Sequence, residues 1–239
     1  MKKPVIALAA LLCLPGLALA DLAFNAAASS DYRYRGISQS RLKPALSAGV
    51  DYSAGGLYLG AWASSIKWIK DAGGDASAEI DLYGGYKGEL AKDVGYDVGV
   101  LSYRYPSNKL ATSANTTEVY GALTVGPATL KYSHSVSNLF GFTDSKNSGY
   151  FDLSAGFEVG AGVTLTPHLG YQKVASNGSY SYTDYSLTAS AEAAKGLTLS
   201  AAVVGASTKS IAGAKAYASP ANGKDLGKTG LVLGAKFNF

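Results

Sequence analysis

Apolar and polar side chains alternate residue by residue along most of this 239-residue chain, in stretches of about ten. In residues 150–159, Phe151, Leu153, Ala155, Phe157 and Val159 alternate with Asp152, Ser154, Gly156 and Glu158. In residues 182–192, Tyr185, Leu187, Ala189 and Ala191 alternate with Asp184, Ser186, Thr188, Ser190 and Glu192. A period of two is the mark of a strand with one apolar face. A soluble sandwich shows it too, but two features favour a membrane barrel. The stretches have the length a tilted strand needs to cross a bilayer, against ~5–6 residues for an ordinary strand. The connections also alternate in length. Short turns fall at Ala54-Gly55-Gly56, Gly126-Pro127, Gly160-Ala161-Gly162 and Ala194-Lys195-Gly196, and longer polar segments at 36–44, 67–75, 105–115, 138–149 and 208–228. Short turns at one end and long loops at the other are what outer-membrane barrels have.

Strands are expected near 22–35, 45–54, 57–66, 76–88, 95–104, 116–125, 128–137, 150–159, 163–173, 182–193, 197–207 and 230–239. The fold class is therefore all-β, a transmembrane antiparallel up-and-down barrel of about twelve strands. An even number puts both termini on the short-turn, periplasmic side.

The first twenty residues read as a signal peptide. Lys2 and Lys3 precede an apolar run broken at Pro15-Gly16, and Ala18-Leu19-Ala20 fits a cleavage site before Asp21. The domain division is then 1–20 signal and 21–239 barrel, exported to the outer membrane of a Gram-negative bacterium. Leu12 before the only cysteine, Cys13, does not fit a lipid-attachment signal, and the exported chain has no thiol or disulfide chemistry. Without Lys2 and Lys3 the net charge falls from +4 to +2, too small for a nucleic-acid footprint. Charged residues make up 16%, against ~25% in soluble domains, which suits a chain with one face in lipid.

Carboxylates, which were not used to set the phase of the strands, test it. Asp31, Asp51, Glu79, Asp81, Asp97, Glu118, Asp152, Glu158, Asp184 and Glu192 all fall on the polar phase. Of the basic residues, Arg33, Arg35, Lys87, Lys131 and Lys236 face inward, while Arg104 and Lys173 fall outward at the loop ends of their strands. The outward phase also carries Tyr52, Tyr86, Tyr171, Phe237 and Phe239, rings expected at the headgroup level. Trp62 is turned inward by Leu57, Leu59, Ala61 and Ala63.

Ser30-Asp31-Tyr32-Arg33-Tyr34-Arg35-Gly36-Ile37-Ser38-Gln39-Ser40 is similar to the opening motif of the TorF-type porin family of proteobacteria, also called the Gcw_chp family. Gly60-Ala61-Trp62-Ala63-Ser64, Glu79-Ile80-Asp81-Leu82-Tyr83-Gly84-Gly85-Tyr86, Tyr103-Arg104-Tyr105-Pro106 and His168-Leu169-Gly170-Tyr171-Gln172 follow in the family's order. The resemblance spans essentially the whole exported chain. It implies a porin label, with no established substrate or functional residue to carry over.

The expected pore-lining residues are Asp31, Arg33, Arg35, Glu79, Asp81, Glu118, Asp152 and Asp184. Arg33 and Arg35, placed on the inward face of the first strand, either form a basic stripe at a constriction or make salt bridges that hold the barrel in shape. Inward Tyr83, Tyr103 and Tyr120 are candidates to plug the lumen. His134 and His168 lie on different strands without a metal-ligand set, and no metal or other cofactor is expected. Barrel lipid hydrolases place a His and a nucleophilic Ser two residues apart on one face. Ser135 and Ser137 lie at odd spacing from His134, so they face the other way and no enzyme is expected. The reading is a passive channel for small polar or charged solutes with weak cation preference; the alternative is a closed barrel with a structural or surface-binding role, and a lipid-active enzyme ranks last. The partners expected are outer-membrane lipid, the secretion and barrel-assembly machinery, and small solutes. Oligomeric state is open.

The last strand carries the assembly signal, Phe237 and Phe239, in phase with Leu231, Leu233 and Ala235. Deleting Phe239 is expected to lower the amount of folded barrel in the outer membrane while export across the inner membrane is unchanged. Quantitative blotting of membrane fractions measures this, and normal folded levels would refute it.

Overall fold

The structure, a computed structural model, describes residues 20–239. Residues 1–19 of the expected signal segment, with Lys2, Lys3, Cys13 and Pro15, lie outside the described residues. The described residues form twelve long strands. The first four are β1 (Ala20–Ser29), β2 (Ala45–Ala54), β3 (Leu57–Ser65) and β4 (Ala78–Ala91). They are followed by β5 (Val94–Arg104), β6 (Thr116–Val125), β7 (Ala128–Ser135) and β8 (Gly149–Ala155), with Phe157–Glu158 continuing β8 along β9. The last are β9 (Val163–Lys173), β10 (Tyr182–Ala194), β11 (Leu197–Ser207) and β12 (Gly230–Asn238). Each pairs antiparallel with the next, and β12 pairs back onto β1, so the sheet closes as an up-and-down barrel. Closure leaves no sheet edge, the condition for strands to stand in hydrocarbon.

Every strand obeys the alternation. Leu82, Val98, Val119, Leu130, Leu153, Leu169, Leu187, Leu199 and Leu233 point outward and are exposed. A continuous girdle of exposed leucine and valine is unfavourable in water and favourable in lipid, so the outer surface is that of a transmembrane barrel. Outward rings gather at its turn end: Phe24 stacks on Phe239, Phe239 on Phe237, and Tyr86 lies beside Tyr96. Arg104 and Lys173 are exposed outward at the loop end, as expected. Trp62 faces inward and meets Tyr32 edge to face.

Inside, three tyrosines lie flat on glycines across the ladder. Tyr83 faces Gly60, Tyr58 faces Gly85, and Tyr120 faces Gly99. A Cβ on Gly60 would sit 2.3 Å from the Tyr83 ring, so only glycine lets the ring lie against the wall. Rings covering inward glycines shield backbone at the most sharply curved part of a barrel sheet. Tyr83 and Tyr120, expected as plugs, are thus part of the wall. The expected connection between residues 88 and 95 is tighter than the pattern gave: β4 and β5 run on to a two-residue turn at Lys92-Asp93, where Asp93 takes a positive φ of 61°.

The main departure is at the first strand. It ends at Ser29, not at residue 35. Asp31 accepts hydrogen bonds from Ser38 Oγ and Ser40 Oγ (2.9 Å), and the Tyr32 amide donates to Ser40 Oγ. These bonds turn the chain off the sheet, and residues 30–44 fold back into the barrel as loop L1. At its tip the two-residue strands Arg33–Tyr34 and Ile37–Ser38 form a hairpin. Arg35 and Gly36 both have positive φ, 46° and 78°, as a tight hairpin turn requires. The other loops are L2 (66–77), which holds the short helix α1 (Trp68–Asp71), L3 (105–115), L4 (136–148), L5 (174–181) and L6 (208–229).

An arginine at the outward midplane position 169 is expected to cost ~2–4 kcal/mol of folding stability in a bilayer. Thr166→Arg, on the inward phase of the same strand, should cost much less. Urea titration of both variants in phosphatidylcholine vesicles measures the difference, and equal losses would mean that β9 is not in the phase described.

Candidate functional site

The expected site residues converge on the L1 hairpin, but by two routes. Glu79, Asp81, Glu118, Asp152 and Asp184 do sit on the inward faces of β4, β6, β8 and β10. Asp31, Arg33 and Arg35 do not lie on β1 at all; they belong to the loop that those strands enclose. Arg33 pairs with Asp31 and donates to the carbonyls of Gly36 (2.9 Å) and Leu226 (3.0 Å). Arg35 forks onto Glu118, at 3.0 Å and 2.7 Å, and donates to Gln172 Oε1 at 2.7 Å. Its guanidinium also lies over the rings of Tyr150 (4.1 Å) and Tyr34 (4.8 Å). The bidentate geometry and the two ring faces give the cation a full set of partners away from water. Of the two sequence-level readings of these arginines, the geometry is that of salt bridges holding the interior in shape.

Of the remaining carboxylates, Glu79, Asp152 and Asp184 are held by phenols and an imidazole, while Asp81 Oδ1 is buried without a hydrogen-bond partner among the described residues. Glu79, buried, accepts from Tyr32 and Tyr105. Asp184 accepts from Tyr150 at 3.1 Å. His168 Nε2 is 3.3 Å from Asp152 and 3.2 Å from Tyr150 Oη, so this histidine is a hydrogen-bonded lumen residue. Among the described residues no group of three ligating side chains is placed to hold a metal. His134 faces outward and bonds Tyr132 Oη (3.1 Å) and Asn147 Oδ1 (3.3 Å). Ser135 and Ser137 direct their hydroxyls to backbone carbonyls. Neither serine is bonded to His134, and the geometry gives the hydrolase reading no support.

The hairpin divides the interior of the loop end. Below it is a cavity of about 390 Å³ lined by charge: Arg33, Arg35, Lys131, Asp152, His168 and Asp184. Above it is a second, of about 380 Å³, whose walls include Trp68, Phe140, Phe142, Tyr180 and Tyr217 from the loops. Tyr34 lines both. The hairpin is wedged tightly, since a Cβ on Gly36 would stand 2.7 Å from Asp184 Cβ and 2.8 Å from the Gly205 carbonyl. Nearer the turn end, Tyr58 donates to Asp97, Tyr83 donates to Asp51, and Lys131 stands 3.7 Å above the Tyr120 ring. Asp51, Asp97, Lys87 and Lys131 give that half a mixed polar wall.

A family model described as "Bacterial protein of unknown function (Gcw_chp)" matches residues 18–237. No curated protein matches the sequence. Among solved structures, the KdgM porin is similar at 9% identity with a TM-score of 0.58, covering 92% of this chain and 99% of that one. The KdgM porin in complex with disordered oligogalacturonate is similar at 10% identity and a TM-score of 0.56, with the same coverage. The NanC porin is similar at 10% and 0.54, covering 91% of this chain and 99% of that one. At such identities the likeness carries the fold, a porin-type barrel.

Arg35→Ala leaves Glu118 buried without its cation and is expected to destabilise the barrel by ~3–5 kcal/mol. Arg35→Ala combined with Glu118→Ala should lose less than the sum of the two single changes. A double-mutant cycle from urea midpoints checks the coupling, and additive losses would mean that the pair is not formed.

Proposed function

The chain belongs to the Gcw_chp family, and from that premise we propose that it is an outer-membrane channel for passive diffusion of small polar or charged solutes, constricted by its own first loop. One observation carries the reading. The inward phase is polar along the barrel, with Asp152, Asp184 and His168 under the hairpin and Asp51, Asp97 and Lys131 nearer the turn end. Asp51, Asp97 and Lys131 stand outside the salt bridges that hold the hairpin, and polar groups facing the interior of a barrel suit a water-filled path. The porin fold of the similar structures agrees with it, and so does the porin label of the TorF-type group that the sequence resembles. In this reading the first twenty residues are removed on export, the long loops face outside the cell, and Phe237 and Phe239 address the barrel to its assembly machinery.

Selectivity follows from which charges remain free. Arg33 and Arg35 are spent on Asp31 and Glu118. Asp51, Asp81, Asp97 and Asp152 have no arginine or lysine salt-bridge partner within 4 Å among the described residues. Their excess over Lys87 and Lys131 favours cations weakly, and salt screens the preference because the Debye length falls to ~3 Å at 1 M. The KdgM porin is described in complex with oligogalacturonate. Here the arginines nearest the constriction already hold carboxylates of the protein, so an acidic sugar is not the solute assigned.

A second reading, a closed barrel with a surface-binding role, is favoured by the packing of the loops. Ile66, Ile69, Ala76, Tyr103, Tyr105 and Ala114 form a buried cluster at the loop end. The Arg41–Asp71 pair, Tyr217 Oη to Tyr180 O and Asn177 to Thr143 O tie L1 to L2, L6 to L5 and L5 to L4.

Purified protein in a planar bilayer separates the two. The channel reading expects discrete steps and a reversal potential of weak cation selectivity that fades at high salt. Replacing Arg33 and Arg35 with Ala should increase both conductance and cation preference, because Asp31 and Glu118 are then unpaired. Anion selectivity in the wild type would overturn the selectivity, and absence of steps would select the closed barrel.

A further inference from the structure

The cavity above the hairpin is built differently from the lumen. Of the residues lining it, the only charged one is Asp71, and Arg41 already forks onto its carboxylate. Most of the neutral polar groups are also committed to the protein; among the described residues the hydroxyls of Tyr180 and Tyr182 form no hydrogen bond. Ser38 Oγ donates to Asp31, and the Gln39 amide donates to the Ile37 carbonyl at 3.0 Å. Gln172 is held by Arg35 through its oxygen and by the Gly149 and Lys173 carbonyls through its nitrogen. The hydroxyl of Tyr34 bonds that of Tyr103, Tyr105 donates to Glu79 at 2.7 Å, and Tyr217 donates to the Tyr180 carbonyl at 2.7 Å.

What the cavity offers an incoming molecule is therefore ring surface. Phe142 stands 4.7 Å from Tyr180 between ring centroids, Tyr182 5.1 Å from Tyr217, and Trp68 5.2 Å from Tyr105. Burial pushes the Tyr217 phenol well above its ordinary range, so that wall stays uncharged. Trp68 Nε1, in the same lining, is buried and unbonded among the described residues. A ligand that brings one acceptor to a free phenol gains a hydrogen bond that the protein does not make itself. An anion would meet no free cation, and a sugar would find few hydrogen-bonding groups not already used. A volume of about 380 Å³ lies within the range of small-molecule sites, which are mostly apolar with a few placed polar groups.

We propose that this vestibule is a binding site for a neutral, ring-bearing apolar molecule, held between aromatic faces from L2, L4, L5 and L6 at the loop end of the barrel. The site stands whether or not the lumen conducts, and its test does not involve conductance. The chain has two tryptophans, so Trp62→Phe leaves Trp68 as the sole reporter. The full barrel carrying Trp62→Phe, in phosphatidylcholine vesicles, is titrated with 4-nitrobenzyl alcohol, a neutral ring quencher, and separately with 4-nitrobenzoate, the same ring with a charge. Saturable quenching by the alcohol is expected, with at least tenfold weaker binding of the benzoate. Adding Phe142→Ala should remove the saturable component while the barrel still migrates as folded on a gel. Methyl β-glucoside should not displace the alcohol. Quenching that rises linearly without saturating would overturn the proposal in the reporter protein itself, independently of any wall variant. Preference for the benzoate, displacement by the glucoside, or saturation unchanged by Phe142→Ala would overturn it as well.

Discussion

A strand standing in hydrocarbon must give every backbone N–H and C=O a partner on a neighbouring strand, because lipid supplies none. In this chain the demand is met by closure. The seam runs from Asn25 paired with Asn238 to Ser29 paired with Gly234, and beyond it Phe24 and Phe239 exchange backbone bonds. Once the ladder is closed, the pleat sends each residue either to lipid or to the interior. Leucine, valine and outward rings then belong on one phase, and carboxylates on the other. The exposed band of apolar side chains and the buried acids are two consequences of the same constraint.

Closure creates a second problem, an interior too wide for side chains alone to fill at the loop end. The chain answers it with its own first loop. Turned inward at Asp31, the hairpin carries two arginines into a space ringed by Glu79, Glu118, Asp152 and Asp184, and Arg35 is neutralised bidentately by Glu118. Removing one of these charges strands the other, which makes the plug and the wall a single electrostatic unit. At the turn end, where no loop enters, tyrosines lying on glycines thicken the wall and leave the axis to aspartates and lysines. The constriction is therefore local, with a charged cavity on one side and an aromatic one on the other.

The strands and their phase were legible in the sequence because they are properties of adjacent residues. Leu57, Leu59, Ala61 and Ala63 are enough to turn Trp62 inward, and the carboxylates land where the leucines say they must. The path of L1 was not legible. Asp31-Tyr32-Arg33-Tyr34-Arg35 alternates like the strand before it, and its turn, Arg35-Gly36, lacks the Asn-Gly or Asp-Gly pair that marks a tight hairpin. What bends it inward is a set of hydroxyls at Ser38 and Ser40 and partners as distant as Glu118, Gln172 and Leu226. The vestibule is hidden for the same reason, since Trp68, Phe142, Tyr180 and Tyr217 meet only when four separate loops close over the mouth. The pairing of inward tyrosines with glycines across the ladder, by contrast, was available once the register was drawn.

The central claim is that residues 33–38 occupy the lumen and set its width. The direct measurement is single-channel conductance of the barrel with that hairpin replaced by a Gly-Ser linker of equal length, beside the intact protein in the same bilayer and salt. The account predicts a clear rise in unitary conductance, with the folded barrel retained on a gel. Unchanged conductance in a folded replacement would contradict it, because the hairpin would then not stand in the path.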